Sequence, residues 1–203
     1  ITYSVTDDPT DLVTYSSGLA EAVDITANGA SAATVAQANT IMAAGNSGTT
    51  TISAGVTDTV ANALTLSMGS NDTIGTLTVS GSATASEVAS IRALDTGSNI
   101  TTLTITAVNV TDTYASLSAM PTPADLGTVV VSDAITMVKA EALTTGIDTY
   151  TEIRDTFANL MDDADVTATT VTGSAEMNKA TTVTVTDQLT VDQAVQIDAA
   201  TTS

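Results

Sequence analysis

Cysteine, histidine and tryptophan are absent, and phenylalanine occurs once, as Phe157. Without cysteine there is no disulfide framework. Without histidine or cysteine, nucleophilic and acid–base schemes built on either residue are excluded, as are zinc sites of the usual nitrogen and sulfur type. Positive charge is nearly missing too. Arg92, Lys139, Arg154 and Lys179 stand against 23 acidic residues, for a net charge of −19. Such a surface repels phosphate backbones, which argues against nucleic acid as a partner, and it is repelled by anionic membranes. No apolar run approaches the about 20 residues of a membrane-spanning helix. No signal peptide is visible, and no glycine loop with a lysine is present to cradle phosphate.

What is present is repetition. Val5-Thr6-Asp7, Val56-Thr57-Asp58, Val110-Thr111-Asp112 and Val185-Thr186-Asp187 are one phrase, and Val131-Ser132-Asp133 is a near copy. Most copies close a β-like run and precede a short Ala/Leu-rich stretch. Threonine is about a fifth of the chain; it favours strands and caps helices. With aromatics at 2%, Ala, Val, Leu and Ile must fill the interior, which suits thin coils. The expected fold is therefore α/β: an irregular right-handed β-α solenoid with parallel strands. Its coils are of leucine-rich-repeat length, about 25 residues. One segment over 1–203 is expected, kinked near 121–123.

Strand-like and helix-like runs alternate along the chain. Thr2–Thr6 leads to Asp11–Ser17, and Ala22–Ala27 to a helix over Ser31–Ala44 stopped by Gly45. Thr50–Ala54 leads to Thr59–Leu66, and Thr76–Ser80 to Ser86–Leu94. Thr101–Thr106 leads to Thr113–Ala119, and Thr128–Ser132 to Thr136–Leu143. Tyr150, Ile153, Phe157, Leu160 and Met161 fit a 3.6-residue period. One helix over Thr149–Met161 is therefore preferred to a strand at Thr149–Arg154 followed by a short helix. An eighth unit is expected at Val166–Thr172 and Ser174–Lys179, and a ninth at Thr181–Thr186 and Thr190–Ala199. Thr84 with Glu87, and Thr190 with Gln193, have capping-box spacing.

Asp7, Asp58, Asp112, Asp133 and Asp187 occupy equivalent places where strand passes to helix. Two readings fit. A ladder of carboxylates along one edge offers hard oxygen ligands to Ca²⁺; an Asx turn or N-cap uses the same side chain to accept backbone N–H groups. Asp162, Asp163 and Asp165 form a second candidate calcium cluster, at a helix end where carboxylates oppose the dipole. Gly69–Gly75 reads as an Asn-Asp turn.

The Val-Thr-Asp phrases followed by Ala/Leu stretches, as at Val110–Leu117 and Val185–Ile197, resemble the Thr/Ala-rich repeat regions of very large secreted bacterial proteins. Among these are RTX-type adhesins and S-layer-like surface proteins. The resemblance implies secretion to the cell surface, frequent calcium dependence, and a role in attachment, a layer or a filament. A non-catalytic structural segment that associates with itself or with neighbouring repeats is the expected function. An adhesin recognising carbohydrate or a partner surface is the alternative. It would gain if Tyr3 and Tyr15, or Tyr114 and Tyr150, shared a face. Glycoside hydrolysis would need two carboxylates across a cleft, one of them buried against apolar groups.

Overall fold

The structure, a computed structural model, describes residues 2–97, 99–121, 123–143, 145–162, 165–166, 171–172 and 175–201. The side chains of 123, 162, 165–166 and 171–172 are outside that description. Two compact units divide at Asn109/Val110.

The first unit begins with β1 (Val5–Asp7), α1 (Pro9–Thr14), β2 (Ile25–Ala27) and α2 (Val35–Met42). β3 (Thr50–Ile52), β4 (Val56–Thr59) and α3 (Val60–Ala63) follow, then β5 (Asp72–Ala83) and α4 (Ala85–Leu94). β6 (Ile100–Asp112) starts in this unit and gives its last three residues to the second. The second unit continues with α5 (Tyr114–Ser118), β7 (Val129–Ile135), α6 (Met137–Ala142), β8 (Thr149–Asp155) and α7 (Phe157–Asp162). It closes with β9 (Asp165–Val166), β10 (Val171–Thr172), α8 (Ala175–Lys179), β11 (Ala180–Val185) and α9 (Val191–Thr201).

Among the described residues nine strands form one mostly parallel sheet in chain order, β1-β2-β3-β5-β6-β7-β8-β11, with β4 also paired to β5. The α/β class and the parallel pairing agree with the sequence. In the first unit Ala27, Ile52 and Ile74 lie in register on consecutive strands, all fully buried. The neighbouring row, Ile25, Thr50 and Asp72, turns polar. Thr50 is satisfied by Asn46 Oδ1 at 3.0 Å, and Asp72 accepts the Gly69 N–H at 2.6 Å. The Gly69–Gly75 stretch is thus a turn closed by its own aspartate. In the second unit Val131 pairs with Tyr150, and Ile135 with Ile153.

Helices start where threonine can cap them. Thr34 with Gln37 and Thr84 with Glu87 form reciprocal capping boxes, and Thr190 with Gln193 forms a third. α2 is shorter than the expected 31–44, because Ala33 bridges to Val56 and Thr34, still extended, is the N-cap. Gly45, with φ of +77°, follows it as expected. Gly55, with φ of +81°, lies where a β-carbon would sit 3.1 Å from the Thr76 carbonyl oxygen, so only glycine lets β3 turn into β4 there.

Two expectations are corrected. Residues 149–155 are the strand β8, not the first half of a helix, and α7 starts after Thr156. The eighth unit adds no strand to the main sheet. β9 and β10 pair antiparallel with each other, and β11 pairs directly with β8. Thr122, at the expected kink, lies outside the described residues. Among the described residues no helix is long and apolar enough to cross a membrane.

Candidate functional site

The corner aspartates are brought to the strand-to-helix turns by strand register, and there they meet helix N-termini. A helix start leaves its first N–H groups without intrahelical partners. Asp58 accepts the N–H of Val35, the first residue of α2, at 3.0 Å, together with the Thr59 N–H at 2.8 Å and the Asn62 amide at 2.7 Å. Asp133 accepts the Tyr114 N–H at the head of α5, and Asp187 the Phe157 N–H at the head of α7, both at 2.7 Å. In each case the carboxylate reaches back to the head of a helix earlier in the chain. Asp112 accepts the Thr113 N–H at 2.7 Å, and Asp7 the Asp8 N–H at 2.9 Å.

Asp155 belongs to the same set and was not singled out in the sequence. It accepts the N–H groups of Met137 (3.1 Å) and Thr156 (2.9 Å) and the Asn159 amide (2.7 Å). Its signal is the Asp-Thr pair shared with Asp58-Thr59 and Asp112-Thr113; the phrase Ile153-Arg154-Asp155 hides it from a search for Val-Thr-Asp. Asp133 lies in the segment of β7 where the pairing with β8 slips register, between Val131 and Ala134.

Electrostatics follow from these contacts. Burial pushes the Asp58 carboxyl up, but the Asn62 amide and the Val35 and Thr59 N–H groups outweigh it and hold the group below the ordinary value. Asp155 behaves alike: burial raises it, and Asn159, Thr156 and Met137 bring it down further. A second row lies at the strand starts. Asp24 accepts the Thr49 N–H and hydroxyl, each at 2.9 Å, which lower its pKa. Asp148 accepts the Val129 N–H at 2.7 Å.

Among the described residues no three acidic side chains converge where one cation could be held. A calcium ion takes about six to eight oxygens, and the corners supply one carboxylate each, turned toward N–H donors. Asp163 lies outside the described residues. Asp162 and Asp165 are described only in their backbone, as the end of α7 and the start of β9.

One cleft, of about 220 Å³, stands beside Asp7. Tyr3 and Tyr15 both line it, with Val5, Leu12, Asp7 and Asp11. Tyr3 is fixed by its hydroxyl, which donates to the Gly18 carbonyl at 2.6 Å, while Tyr15 is 70% exposed. Asp7 and Asp11 are both exposed, so neither has the apolar burial that a general-acid carboxyl needs. Tyr114 and Tyr150 are in different settings. Lys139 Nζ lies 5.1 Å from the Tyr114 ring centre, and Tyr150 is completely buried.

No protein-family model matches the sequence, and neither a curated protein nor a solved structure matches it.

Proposed function

We propose that this chain is a structural repeat segment of an extracellular bacterial layer, fibre or filament, non-catalytic, and that its sheet is the spine of an irregular β-α solenoid. The observation that carries this is the corner link. An aspartate of one strand caps a helix earlier in the chain at four places, so the polar residues fasten step to step instead of converging on a substrate. A chain held together by nearest-neighbour links is the general design of stacked repeats. The strand order in chain order supports the same reading, and so do the Thr/Ala/Asp phrases that resemble those of secreted surface proteins. Calcium would act at the acidic surface as a screening or bridging ion, with the aspartate-rich 162–165 stretch as a candidate binding segment.

Electron microscopy of the purified chain, in millimolar Ca²⁺ and again in EGTA, with circular dichroism, tests this. Ordered filaments or sheets are expected. Their loss in EGTA would make calcium part of the assembly, and indifference to EGTA would remove the metal and keep the structural role. Folded monomers in both conditions would sink the structural reading.

One observation favours an adhesin module instead: two tyrosines on a single cleft with two carboxylates beside them, a setting in which rings can stack on a sugar face and acids accept its hydroxyls. On this reading a saccharide array shows a defined ligand. Tyr15→Ala should then weaken binding about tenfold, or ~1.4 kcal/mol, with the fold intact. An array with no hit would end it.

A further inference from the structure

Among the described residues most asparagine side chains are tied to the backbone or to an aspartate. Asn46 is held on every side. Its amide donates to the Val23 and Thr49 carbonyls at 3.0 and 3.1 Å, and its oxygen accepts the Thr50 hydroxyl at 3.0 Å. The N–H of the next residue, Ser47, is engaged as well, donating to the Ala22 carbonyl. Asn99 donates to the Gly69 and Asp72 carbonyls. Asn39, Asn62 and Asn159 donate to the Thr65 carbonyl, Asp58 and Asp155. After Asn71, the Asp72 N–H donates to the Gly69 carbonyl.

Asn28, which follows β2, is different. Its backbone N–H donates to the Asp7 carbonyl at 2.8 Å. Among the described residues neither its side-chain amide nor the Gly29 N–H has a hydrogen-bond partner, and both residues are exposed. This is also the only place in the sequence where glycine follows asparagine. With no β-carbon on Gly29, nothing obstructs the approach of its nitrogen to the Asn28 side-chain carbonyl. The two groups sit on adjacent residues, so the attack is unimolecular.

We infer that Asn28-Gly29 is a self-modification site, where the folded chain converts asparagine to aspartate and isoaspartate without an enzyme. The Gly29 nitrogen gives its proton to solvent and bonds to Asn28 Cγ. The bond from Cγ to the side-chain nitrogen breaks, ammonia leaves, and a succinimide ring closes. Water then opens the ring. Cleavage at Cγ gives aspartate, and cleavage at the main-chain carbonyl gives isoaspartate. Water enters and ammonia leaves, with no oxidant or reductant. The isoaspartate route lengthens the main chain by a methylene after Asn28. The Asn28 N–H lies before that insertion, so its bond to Asp7 stands, while the crossover to Ala33 and α2 takes up the extra length. Either route adds a negative charge where the Asp8 carboxylate already lies against Gly29. A β-carbon on Gly29 would collide with that carboxylate, so Asn28→Gln, which keeps an amide but needs a larger ring, is a cleaner control than Gly29→Ala.

Peptide mass spectrometry tests the site. The native chain is held in mildly alkaline buffer made with heavy-oxygen water, beside a sample in guanidinium chloride. In native buffer Asn28 is expected to lose its amide and take up heavy oxygen, and enzymatic methylation should mark isoaspartate there. Asn46 should stay intact until denaturant releases it, and Asn28→Gln should lose the native signal. An Asn28 amide that survives in native buffer would overturn the site, whether or not denaturant removes it. Native conversion at Asn46 ahead of Asn28 would overturn it too.

Discussion

Replacing Asp155 with alanine is expected to lower the unfolding free energy by about 3 kcal/mol. The side chain is 8% exposed and accepts three hydrogen bonds. The Met137 N–H it receives is itself buried, so truncation strands a donor away from water, which costs more than a bond is worth net. The Thr156 N–H and the Asn159 amide lose their charged acceptor in the same step. Urea unfolding at neutral pH measures the loss, and a change below about 0.5 kcal/mol would show that the corner link does not hold the second unit together.

The pH dependence has a definite sign. The folded Asp155 carboxyl lies below its ordinary value, near 3.8, so its contribution is complete above that value. It drains away as pH falls through the lowered folded one. Acid also neutralises other carboxylates and relieves the repulsion of a strongly negative chain. The difference between wild type and Asp155→Asn therefore isolates the effect. That difference should shrink below about pH 4.

Much of the strand–helix alternation is legible in the residues because threonine does two jobs in sequence. It fills exposed strand positions and then caps the next helix, as at Thr59, Thr84 and Thr113. The stretch 149–161 misleads for a physical reason. Tyr150 and Ile153 are both buried although three residues apart, so β8 breaks strict alternation and imitates a helical face, which periodicity alone does not resolve. Val166 to Lys179 has the strand-then-helix wording of a repeat, but whether its strand joins the main sheet is decided by pairing partners distant in sequence. At the candidate site the choice between cap and cation ladder depends on what each carboxylate faces. The repeated phrase showed that the aspartates are equivalent. It did not show that the donor lies at an earlier helix, between 18 and 30 residues away in sequence. The convergence of Tyr3 and Tyr15 on one cleft likewise needs the chain to turn at Asp8 between β1 and α1, and the Gly18 carbonyl to hold the Tyr3 hydroxyl.

The largest single-residue effect in the second unit is expected at Tyr150. In a chain so poor in aromatic residues its ring is the largest fully buried side chain among the described residues. Its hydroxyl donates to the Ala140 carbonyl of α6 at 3.0 Å. Tyr150→Ala removes the ring from a core of small aliphatic groups that cannot expand to fill the space, a loss of about 4 kcal/mol. That is a large share of the about 5–15 kcal/mol that holds an ordinary domain together. Tyr150→Phe keeps the ring and leaves only the Ala140 carbonyl without its donor, so about 1 kcal/mol is expected. Alkali separates the two contributions. Burial first, and the Glu176 charge second, push the phenol up to about 12. The neutral phenol is the form the fold prefers. Its contribution is fully present below the unfolded value near 10 and is lost as pH rises through about 12. Urea midpoints taken across that window should fall more steeply in wild type than in Tyr150→Phe, which has no proton to lose at this position. Parallel slopes would mean that the ring is wetter than its packing between β8 and α6 implies.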